Sequence, residues 1–447
     1  MIPVAIQAQR PGNTAVVVSE LDGHPCVIVH IGATNEPTPL EVDDGTKLAI
    51  AAHIARENRV PLVCHFNSTG VPPSVGVEAL HSWGTAAREL TRCSGVVPIV
   101  FCVHHTAVSG SALLLGLADI VIMITGSYAY VSGPRMVQEY TGVPIDNQTL
   151  GGAAQHGRTS GVASIIVSTA DEADAFIGDL LGLLPSHSDD LAPRVDTSDP
   201  VDRVLPDVGA IVPSTATGSY DVRQVAGEVV DDGVIVELQA DWAPNLVTAL
   251  ASVGGQPIGL VANQPQNLAG TLDIPASQKG ARFVAFCDAF NLPLLTLVDT
   301  AGFLPGKDLE WRGMIRHGAQ LAFAYARASV PRVNVTLRKS YGGAYIVMDS
   351  KYMGNDLALA WPSAEIAVMG AKGAVEILHR RADEAERAEH QKEYEDRLLN
   401  PYIAAERGSV DMVIDPSETR REVAAAFAAL GSKRERLRRR IHDNTPL

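Results

Sequence analysis

The stretch NLPLLTLVDTAGFLPG (residues 291–306) decides the fold, because the chain carries a second version of it, RVPLVCHFNSTGVPP (residues 59–73). Both stretches pass from a proline-led apolar segment, typical of a buried strand, into a turn of small residues that contains glycine. Another proline-led apolar segment follows at nearly the same spacing in each half of the chain. The repeat predicts two tandem domains of similar architecture.

Apolar segments of strand length alternate with helical segments through both halves, which predicts an α/β fold with largely parallel sheets. A length of 447 residues also favours two domains over one core. A connector rich in proline, aspartate and serine separates the halves. We therefore expect an N-terminal domain over residues 1–215 and a C-terminal domain over residues 216–447.

Composition narrows the classes of partner. The net charge of −15 argues against nucleic-acid binding, and the longest apolar run contains Asp119 and is too short to span a membrane. The five cysteines are scattered and form no CxxC pair, so we expect neither a disulfide framework nor a metal in this chain. These features predict a cytoplasmic protein.

A glycine-rich turn in the second half is the main candidate for chemistry. In KSYGGAYIVMDSK (residues 339–351) two glycines and an alanine stand where an apolar strand meets a helix. The backbone amides of Gly343 and Ala344 are expected to hold an oxyanion or enolate at the helix start, while Gly342 lets a ligand approach. Tight packing of the helix on the sheet is the alternative explanation.

The first half has a weaker equivalent at Ser109 and Gly110, and Gly70 supplies a further close approach. Motifs for a serine nucleophile, a zinc protease or a phosphate loop are missing from the sequence. His104 and His105 precede the first-half turn and offer acid–base groups, although histidines that end an apolar strand are more often structural.

Four segments of the second half, LVDTAGFLPG, IRHGAQLAFAYARASVP, KSYGGAYIVMDSK and WPSAEIAVMGAKGAVEIL, together resemble the carboxyltransferase subunit of biotin-dependent acyl-CoA carboxylases, of the propionyl-CoA carboxylase β type. The resemblance is dense from about residue 231 to 415. In the first half it is thinner, resting on short matches such as GVEAL and LGGAAQHGRTSGVA.

This resemblance implies two crotonase-like domains of ββα-superhelix type. The N-terminal domain is then expected to hold acyl-CoA and the C-terminal domain carboxybiotin. The active site would lie between two subunits of a homohexamer built as a dimer of trimers, or of a mixed hexamer with a paralogue. Biotin carboxylase and the biotin carboxyl carrier are expected on other chains.

The resemblance also implies roles for individual residues. Gly343 and Ala344 would hold the ureido oxygen of biotin, which takes the acyl α-proton so that the enolate attacks the released CO₂. Gly373 and Ala374 match a second stretch that approaches biotin. Ile346 falls where the family places a residue that lines the acyl pocket.

The sequence departs from the family's pattern mainly on the acyl-CoA side. Lys47 matches a CoA-contacting lysine, but Pro72 stands where relatives have an arginine. Ser109 and Gly110 replace a pair of glycines, so a serine side chain occupies space near the thioester. We therefore expect an intact biotin side and a remodelled acyl-CoA side.

Three functions are compatible with this pattern. The first is a carboxyltransferase subunit that carboxylates an acyl thioester. The second is a biotin-linked decarboxylase or transcarboxylase, since the enolate chemistry is reversible. The third is a non-catalytic subunit that assembles with an active paralogue. The sequence leaves open the acyl chain length, the choice between CoA and an acyl carrier protein, the physiological direction and the pathway.

Overall fold

The computed structural model describes residues 4–5, 12–32, 36–215, 217–431, 433–435 and 444–446. These residues form two compact units, each organised around one β-sheet. The first unit extends to Pro193 and includes Gln239–Trp242 and Ala289–Asn291, and the second unit takes the rest of the described chain.

The sheet of the first unit has nine strands in the part of the chain that the structure describes. They are β1 (Val4–Ala5), β2 (Thr14–Leu21), β3 (His24–Ile31), β4 (Thr38–Pro39), β5 (Leu62–Gly70), β6 (Ile99–Val108), β7 (Ile120–Ile124), β8 (Tyr128–Tyr130) and β9 (Ile165–Val167). Strands β2 and β3 are antiparallel, whereas β3, β5, β6, β7 and β9 run parallel. The short strands β4 and β8 pair in parallel with the carboxyl ends of β5 and β6, respectively.

Helices cover both faces of this sheet, and two of them form its main core. They are α1 (Asp44–Asn58), α2 (Glu78–Cys93), α3 (Gly110–Leu114), α4 (Pro134–Thr141), α5 (Asn147–Gly151), α6 (Ala153–Gln155) and α7 (Ala170–Gly182). Leu48 of α1 and Leu90 of α2 pack with alternate strand residues such as Phe66 and Phe101. Helix α7 packs against β3, β6 and β7 on the other face. With both faces covered, the central strands β5 and β6 are buried along most of their length.

The second unit repeats this plan with eight strands in its described residues. They are β10 (Val236–Leu238), β11 (Leu246–Val253), β12 (Gln256–Asn263), β13 (Leu294–Thr300), β14 (Arg332–Tyr341), β15 (Leu357–Ala360), β16 (Glu365–Ala367) and β17 (Met412–Val413). An antiparallel pair, β11 and β12, again leads into parallel strands. Strand β16 pairs in parallel with the carboxyl end of β14, as β8 does with the carboxyl end of β6.

The helices of the second unit include the element that carries the glycine turn. They are α8 (Val208–Ile211), α9 (Val222–Val229), α10 (Ile274–Ala289), α11 (Lys307–Trp311), α12 (Met314–Arg327), α13 (Gly342–Val347), α14 (Ala371–Leu378), α15 (Glu384–Tyr394), α16 (Pro401–Glu406) and α17 (Thr419–Leu430). A capping box of Asp383 and Glu386 begins α15. Trp361 is buried, and its indole N–H donates to Thr419 at 2.9 Å, which ties α17 to the sheet.

The repeated prolines explain why the two sheets match. Pro98 leads β6, and its carbonyl accepts the amide of Leu62 at 2.9 Å. Pro331 leads β14, and its carbonyl accepts the amide of Leu294 at the same distance. Proline has no backbone N–H to donate to the sheet, so it is tolerated at the start of a strand. Its carbonyl still accepts a hydrogen bond from the neighbouring strand, and this bond sets the register of each parallel pair. The prediction of two similar α/β domains is confirmed.

The boundary between the units differs from the expected position near residue 215. Residues 194–215 belong to the second unit, because they pack on its sheet rather than on the first. The amide of Val195 donates to the carbonyl of Gly255 at 2.8 Å. Leu205 and Val208 are buried in the second core. A connector rich in proline and aspartate can thus be an ordered cover of one domain, which its composition does not reveal.

Candidate active site

The predicted Gly-Gly-Ala turn is the junction of β14 and α13. Gly342 has a φ of +58°, a left-handed conformation that favours glycine. Tyr341 is the residue before the first helical turn, so the amides of Gly342, Gly343 and Ala344 lie where no carbonyl of the helix accepts from them. Gly343 is exposed, and Ala344 is buried beneath it. The turn therefore presents backbone donors on its accessible side.

An apolar cavity of about 360 Å³ opens beside Gly343. Its wall includes Phe303, Met314 and Ile346, and Ile346 is 48% exposed. A methyl group added to Gly343 would lie only 3.2 Å from the ring of Phe303. The glycine therefore leaves open the passage between the backbone donors and the apolar wall, which supports the ligand-approach explanation over simple packing of helix on sheet.

The loop between β16 and α14 packs on the same turn. A side chain at Gly342 would approach the carbonyl oxygen of Val368 to 3.1 Å. A side chain at Gly370 would approach the ring of Tyr341 to 3.3 Å. Small residues on both segments thus allow two backbones to meet closely.

The two biotin-side residues expected in α14 differ in what they can offer. Gly373 lies in the first helical turn, so no carbonyl of α14 accepts its amide. The amide of Ala374 donates to the carbonyl of Gly370 at 3.1 Å, and its side chain is 3% exposed. The expectation that Ala374 contacts biotin is therefore not supported by its position, because its amide completes the helix.

A buried carboxylate holds the strands that lead to the turn. Asp299 is 2% exposed, and it accepts hydrogen bonds from the hydroxyl of Tyr220 at 2.9 Å and from Nε of Arg338 at 3.0 Å. It also accepts the backbone amide of Lys339 at 3.2 Å. Burial raises the pKa of the Asp299 carboxyl, and Arg338 opposes that shift. The carboxylate joins the ends of β13 and β14, so it positions the turn without touching the cavity.

Tyr341, the last residue of β14, is held by a second carboxylate. Its hydroxyl donates to Glu365 of β16. Burial raises the pKa of Tyr341, and the nearby Glu365 carboxylate raises it further. The hydroxyl therefore stays protonated and keeps donating at neutral pH, which fixes the residue that begins the turn.

The equivalent turn of the first unit joins β6 to α3. Ser109 has φ +63° and ψ −131°, an unusual backbone conformation for a residue with a side chain. Its amide donates to the carbonyl of Tyr130 at 2.9 Å. The expectation that Ser109 supplies an oxyanion donor is therefore corrected, because the sheet already uses that amide. Gly110 is exposed at the first position of α3, and its amide and that of Ser111 lie where no carbonyl of the helix accepts from them.

Gly70, which the resemblance places on the acyl-CoA side, lies against Ser109 in the structure. A methyl group added to Gly70 would lie 3.4 Å from Cβ of Ser109. The amide of Gly70 donates to Oγ of Ser68 at 3.0 Å, and its carbonyl accepts from Leu40 at 3.1 Å. Gly70 therefore lets two chain segments meet, whereas its expected contact with acyl-CoA has no backbone donor left to make it.

Lys47 does not occupy the position expected of a residue that binds a CoA phosphate. It lies in α1 and is 7% exposed. Its ammonium group donates to the carbonyl of Thr14 at 2.9 Å. The lysine therefore ties α1 to β2, and the expected contact with CoA is not supported because the charge points into the unit.

Sequence reasoning missed Phe303 and Asp299, although both lie within the quoted stretch LVDTAGFLPG. An apolar side chain directly after a glycine turn is a signal for a pocket wall, and an aspartate at the end of an apolar strand is a signal for a buried ion pair. Neither signal names its partner, since Arg338 and Gly343 come from the next strand and helix.

Comparison with known proteins identifies the family of the chain. The family model described as "Carboxyl transferase domain" matches residues 17–445. The propionyl-CoA carboxylase beta chain of Saccharopolyspora erythraea is 43% identical over 422 residues, covering 90% of this chain and 77% of that protein. The methylmalonyl-CoA decarboxylase subunit alpha of Veillonella parvula is 40% identical, covering 90% and 78%.

A solved structure matches almost the entire chain. The transcarboxylase 12S subunit, described as a hexamer with methylmalonyl-CoA bound, superposes with a TM-score of 0.94 at 37% identity, covering 97% of this chain and 85% of that one. The tandem crotonase-like architecture expected from the resemblance is thereby confirmed.

Among the described residues, none of the helices combines the length and the apolar character needed to cross a bilayer. The domain match covers nearly the whole chain, and the relatives share about two fifths of its residues. The chain therefore belongs to the carboxyl transferase domain family.

Proposed function

We propose that this chain is the carboxyltransferase subunit of a biotin-dependent acyl-CoA carboxylase, which moves a carboxyl group from carboxybiotin to the α-carbon of an acyl thioester. The observation that carries the proposal is the turn of Gly342, Gly343 and Ala344, in which amides without a helical acceptor stand at an exposed glycine that lines an apolar cavity. Donors that are already oriented stabilise developing negative charge without reorganisation. This explains a transferase without an obvious side-chain base.

Two features of the second unit support a biotin site. The cavity offers an apolar wall at Phe303 and Met314, and the amides of Gly343 and Ala344 are suited to a ureido oxygen. When bound, biotin supplies the nitrogen that carries and releases the carboxyl group. The role of the chain is to hold the ring, orient its oxygen and exclude water beside the apolar wall.

The first unit is the proposed acyl-CoA side. Gly110 contributes the amide that faces the thioester oxygen, and Ser109 places its side chain beside it. The amide of Ser111, the second residue of α3, corresponds to that of Ala344 in α13. The two turns therefore differ in the side chain of Ser109 more than in the number of backbone donors.

Two alternatives remain, each with a specific observation in its favour. The relatives include a decarboxylase and a transcarboxylase as well as carboxylases, so the same site supports a different direction or acceptor. The non-catalytic subunit is favoured by the committed amide of Ser109 and by the buried Lys47. Both of these features remove contacts expected on the acyl-CoA side.

The assembly follows from the same family membership. We propose a hexamer, as described for the transcarboxylase 12S subunit, formed by this chain alone or with a paralogue. Biotin carboxylase and the carrier of biotin are proposed as separate chains. The five cysteines are free and buried, which supports the cytoplasmic location proposed from their spacing.

Reverse transfer tests the proposed function. The purified chain is incubated with free biotin and a panel of malonyl-CoA, methylmalonyl-CoA and longer carboxyacyl-CoA thioesters, and loss of each thioester is measured with and without biotin. Turnover that depends on biotin supports the carboxyltransferase and identifies its acyl class. Turnover only after addition of a second carboxyltransferase chain supports the non-catalytic subunit and overturns the proposal.

A further inference from the structure

A cluster of metal-binding side chains lies in the first unit, on the sheet face covered by α7. His30 of β3 pairs with His65 of β5 in the parallel register, and His65 pairs with Cys102 of β6. His104 lies two residues beyond Cys102, so both side chains project from the same face. The neighbours Phe66 and Phe101 alternate to the opposite face and join the main core.

The donor atoms of this cluster are close together. Nδ1 of His65 lies 2.8 Å from Nε2 of His104. One donor atom from each of His65, Cys102 and His104 falls within a group whose members are all within 4.8 Å of one another. The carboxylate of Asp174, on α7, approaches Nδ1 of His65 to 4.0 Å. The three donor groups thus surround one small volume, and Asp174 lies beside His65 on the side of α7.

Two of the donor side chains are shielded from solvent. His65 is 6% exposed, and Cys102 is fully buried. A neutral imidazole has a lone pair for a metal, and a metal that binds at Cys102 releases the thiol proton.

We propose that His65, Cys102 and His104, with Asp174 as the fourth ligand, bind Zn²⁺ in the first unit. Two nitrogens, a thiolate and a carboxylate form a donor set that Zn²⁺ takes in tetrahedral geometry. In such a site the two nitrogens lie about 3.4 Å apart and nitrogen and sulfur about 3.6 Å apart. The two histidine rings therefore need to separate by about 0.6 Å, a small movement for two rings that face each other.

The site is structural rather than catalytic. Three ligands come from β5 and β6, and the fourth comes from α7, so the metal would fasten that helix to the sheet. Asp174 has a side chain that is 50% exposed, which gives the metal a route in from solvent. A zinc site departs from the expectation of no metal, which rested on the absence of CxxC pairs. Ligands on separate strands leave no such local motif.

Metal content and spectroscopy of the full chain test the site. The protein is purified without a histidine tag, stripped with a chelator, dialysed and reloaded with Zn²⁺ or Co²⁺. We expect about one tightly held Zn²⁺ per chain and, with Co²⁺, the intense absorption of a cobalt–thiolate bond. Folded wild-type protein that takes up neither metal in stoichiometric amount overturns the proposal, and this arm needs no variant.

Variants locate the ligands. Cys102→Ser is expected to abolish the cobalt–thiolate absorption, and His104→Asn to lower Zn²⁺ affinity at least tenfold. The matched controls are Cys64→Ser, a buried cysteine on the opposite face, and His105→Asn, the exposed neighbour of His104. Both controls should keep the absorption. A cobalt–thiolate band that survives in Cys102→Ser would contradict the site as proposed.

Discussion

The two units form the same strand-to-helix turn with different residues. In the second unit Gly342 has a φ of +58°, and in the first unit Ser109 has a φ of +63°. The fold therefore asks for a left-handed backbone at this point in both halves. The second unit has glycine at both positions of the turn, with Gly343 exposed beside an apolar cavity, whereas the first unit has Ser109 before Gly110. The positive φ is therefore a requirement of the fold, whereas glycine at both positions is attributed to the ligand of the second unit.

Serine at this position lowers the stability of the folded chain relative to glycine. A residue with a Cβ in a left-handed conformation is less stable than glycine by about 1–2 kcal/mol. Strain of this kind persists where the surroundings hold it, often at functional sites. In the first unit the hydrogen bond from Ser109 to Tyr130 helps to hold it.

The largest effect is expected from closing the second turn. Gly343→Val places side-chain atoms against Phe303, because even a methyl group at this position would lie 3.2 Å from the ring, and it covers the amide donors. We expect reverse carboxyl transfer to fall by about 10²–10³-fold, the cost of losing an oriented oxyanion donor. The measurement is kcat/KM for methylmalonyl-CoA with free biotin.

Gly84→Val is the matched control for this change. Gly84 lies in α2, and an added methyl group there meets nothing within 4 Å. The control should keep its kcat/KM. Full activity of Gly343→Val would show that the turn of the second unit is only a packing feature.

The next effect tests the support beneath the second turn. Asp299→Asn leaves the guanidinium of Arg338 buried without its anion, and breaking a buried pair in this way costs about 3 kcal/mol. We expect a lower denaturation midpoint and a loss of transfer activity with it. Asp308→Asn, at an exposed position of α11, is the control. An unchanged midpoint in Asp299→Asn would show that the carboxylate does not hold β13 and β14 together.

Two equivalent lysines, one in each unit, allow the units to be compared through the pH dependence of stability. Lys47 and Lys279 each stand fourteen positions before the proline that leads β5 or β13, and both are buried. Burial lowers the pKa of Lys279 to about 7, whereas an unfolded lysine has a pKa of about 10.4. Between these values the unfolded chain binds more protons than the folded one, so stability rises with pH.

The test compares unfolding free energies at pH 7, 8 and 9. Wild-type stability should rise by up to about 1.4 kcal/mol per pH unit relative to Lys279→Met, which has no proton to lose. Gln278→Met, on the same helix, should keep the wild-type slope. Equal slopes for wild type and Lys279→Met would show that the lysine stays charged when folded.

The smallest effect comes from exchanging the two turns. Ser109→Gly relieves backbone strain, and we expect a gain of about 1 kcal/mol in stability with unchanged or raised transfer. Gly342→Ser imposes the strain, and its Cβ approaches Val368 to 3.1 Å, so it should destabilise by about 1–2 kcal/mol. Thermal unfolding of both variants measures this. A stabilising Gly342→Ser would refute the shared backbone requirement.

The architecture could be predicted because the repeat consists of short local motifs that can be recognised without knowledge of the fold. Prolines at the start of β6 and β14 and small residues at the strand ends appear at matching positions in both halves. The two units divide after Pro193 rather than near residue 215, because contacts such as the hydrogen bond to Gly255 hold the segment that follows, and composition does not reveal such distant partners.

The candidate site was predictable on one side only. The turn at Gly343 is contiguous in sequence, so its bare backbone could be read directly. Lys47 donates to the carbonyl of Thr14, and the amide of Ser109 donates to the carbonyl of Tyr130. Both acceptors lie elsewhere in the chain, so the sequence near each donor did not indicate these bonds. The histidine and cysteine cluster was invisible for the same reason, since neighbouring strands assemble it.

A structure of the chain with biotin and an acyl-CoA bound tests the central claim most directly. The distance to measure joins the ureido oxygen of biotin to the backbone nitrogens of Gly343 and Ala344. We predict about 2.7–3.1 Å to both nitrogens, the range of an oriented oxyanion donor. Biotin bound in another part of the molecule, with these amides facing only solvent, would contradict the proposed role of the turn.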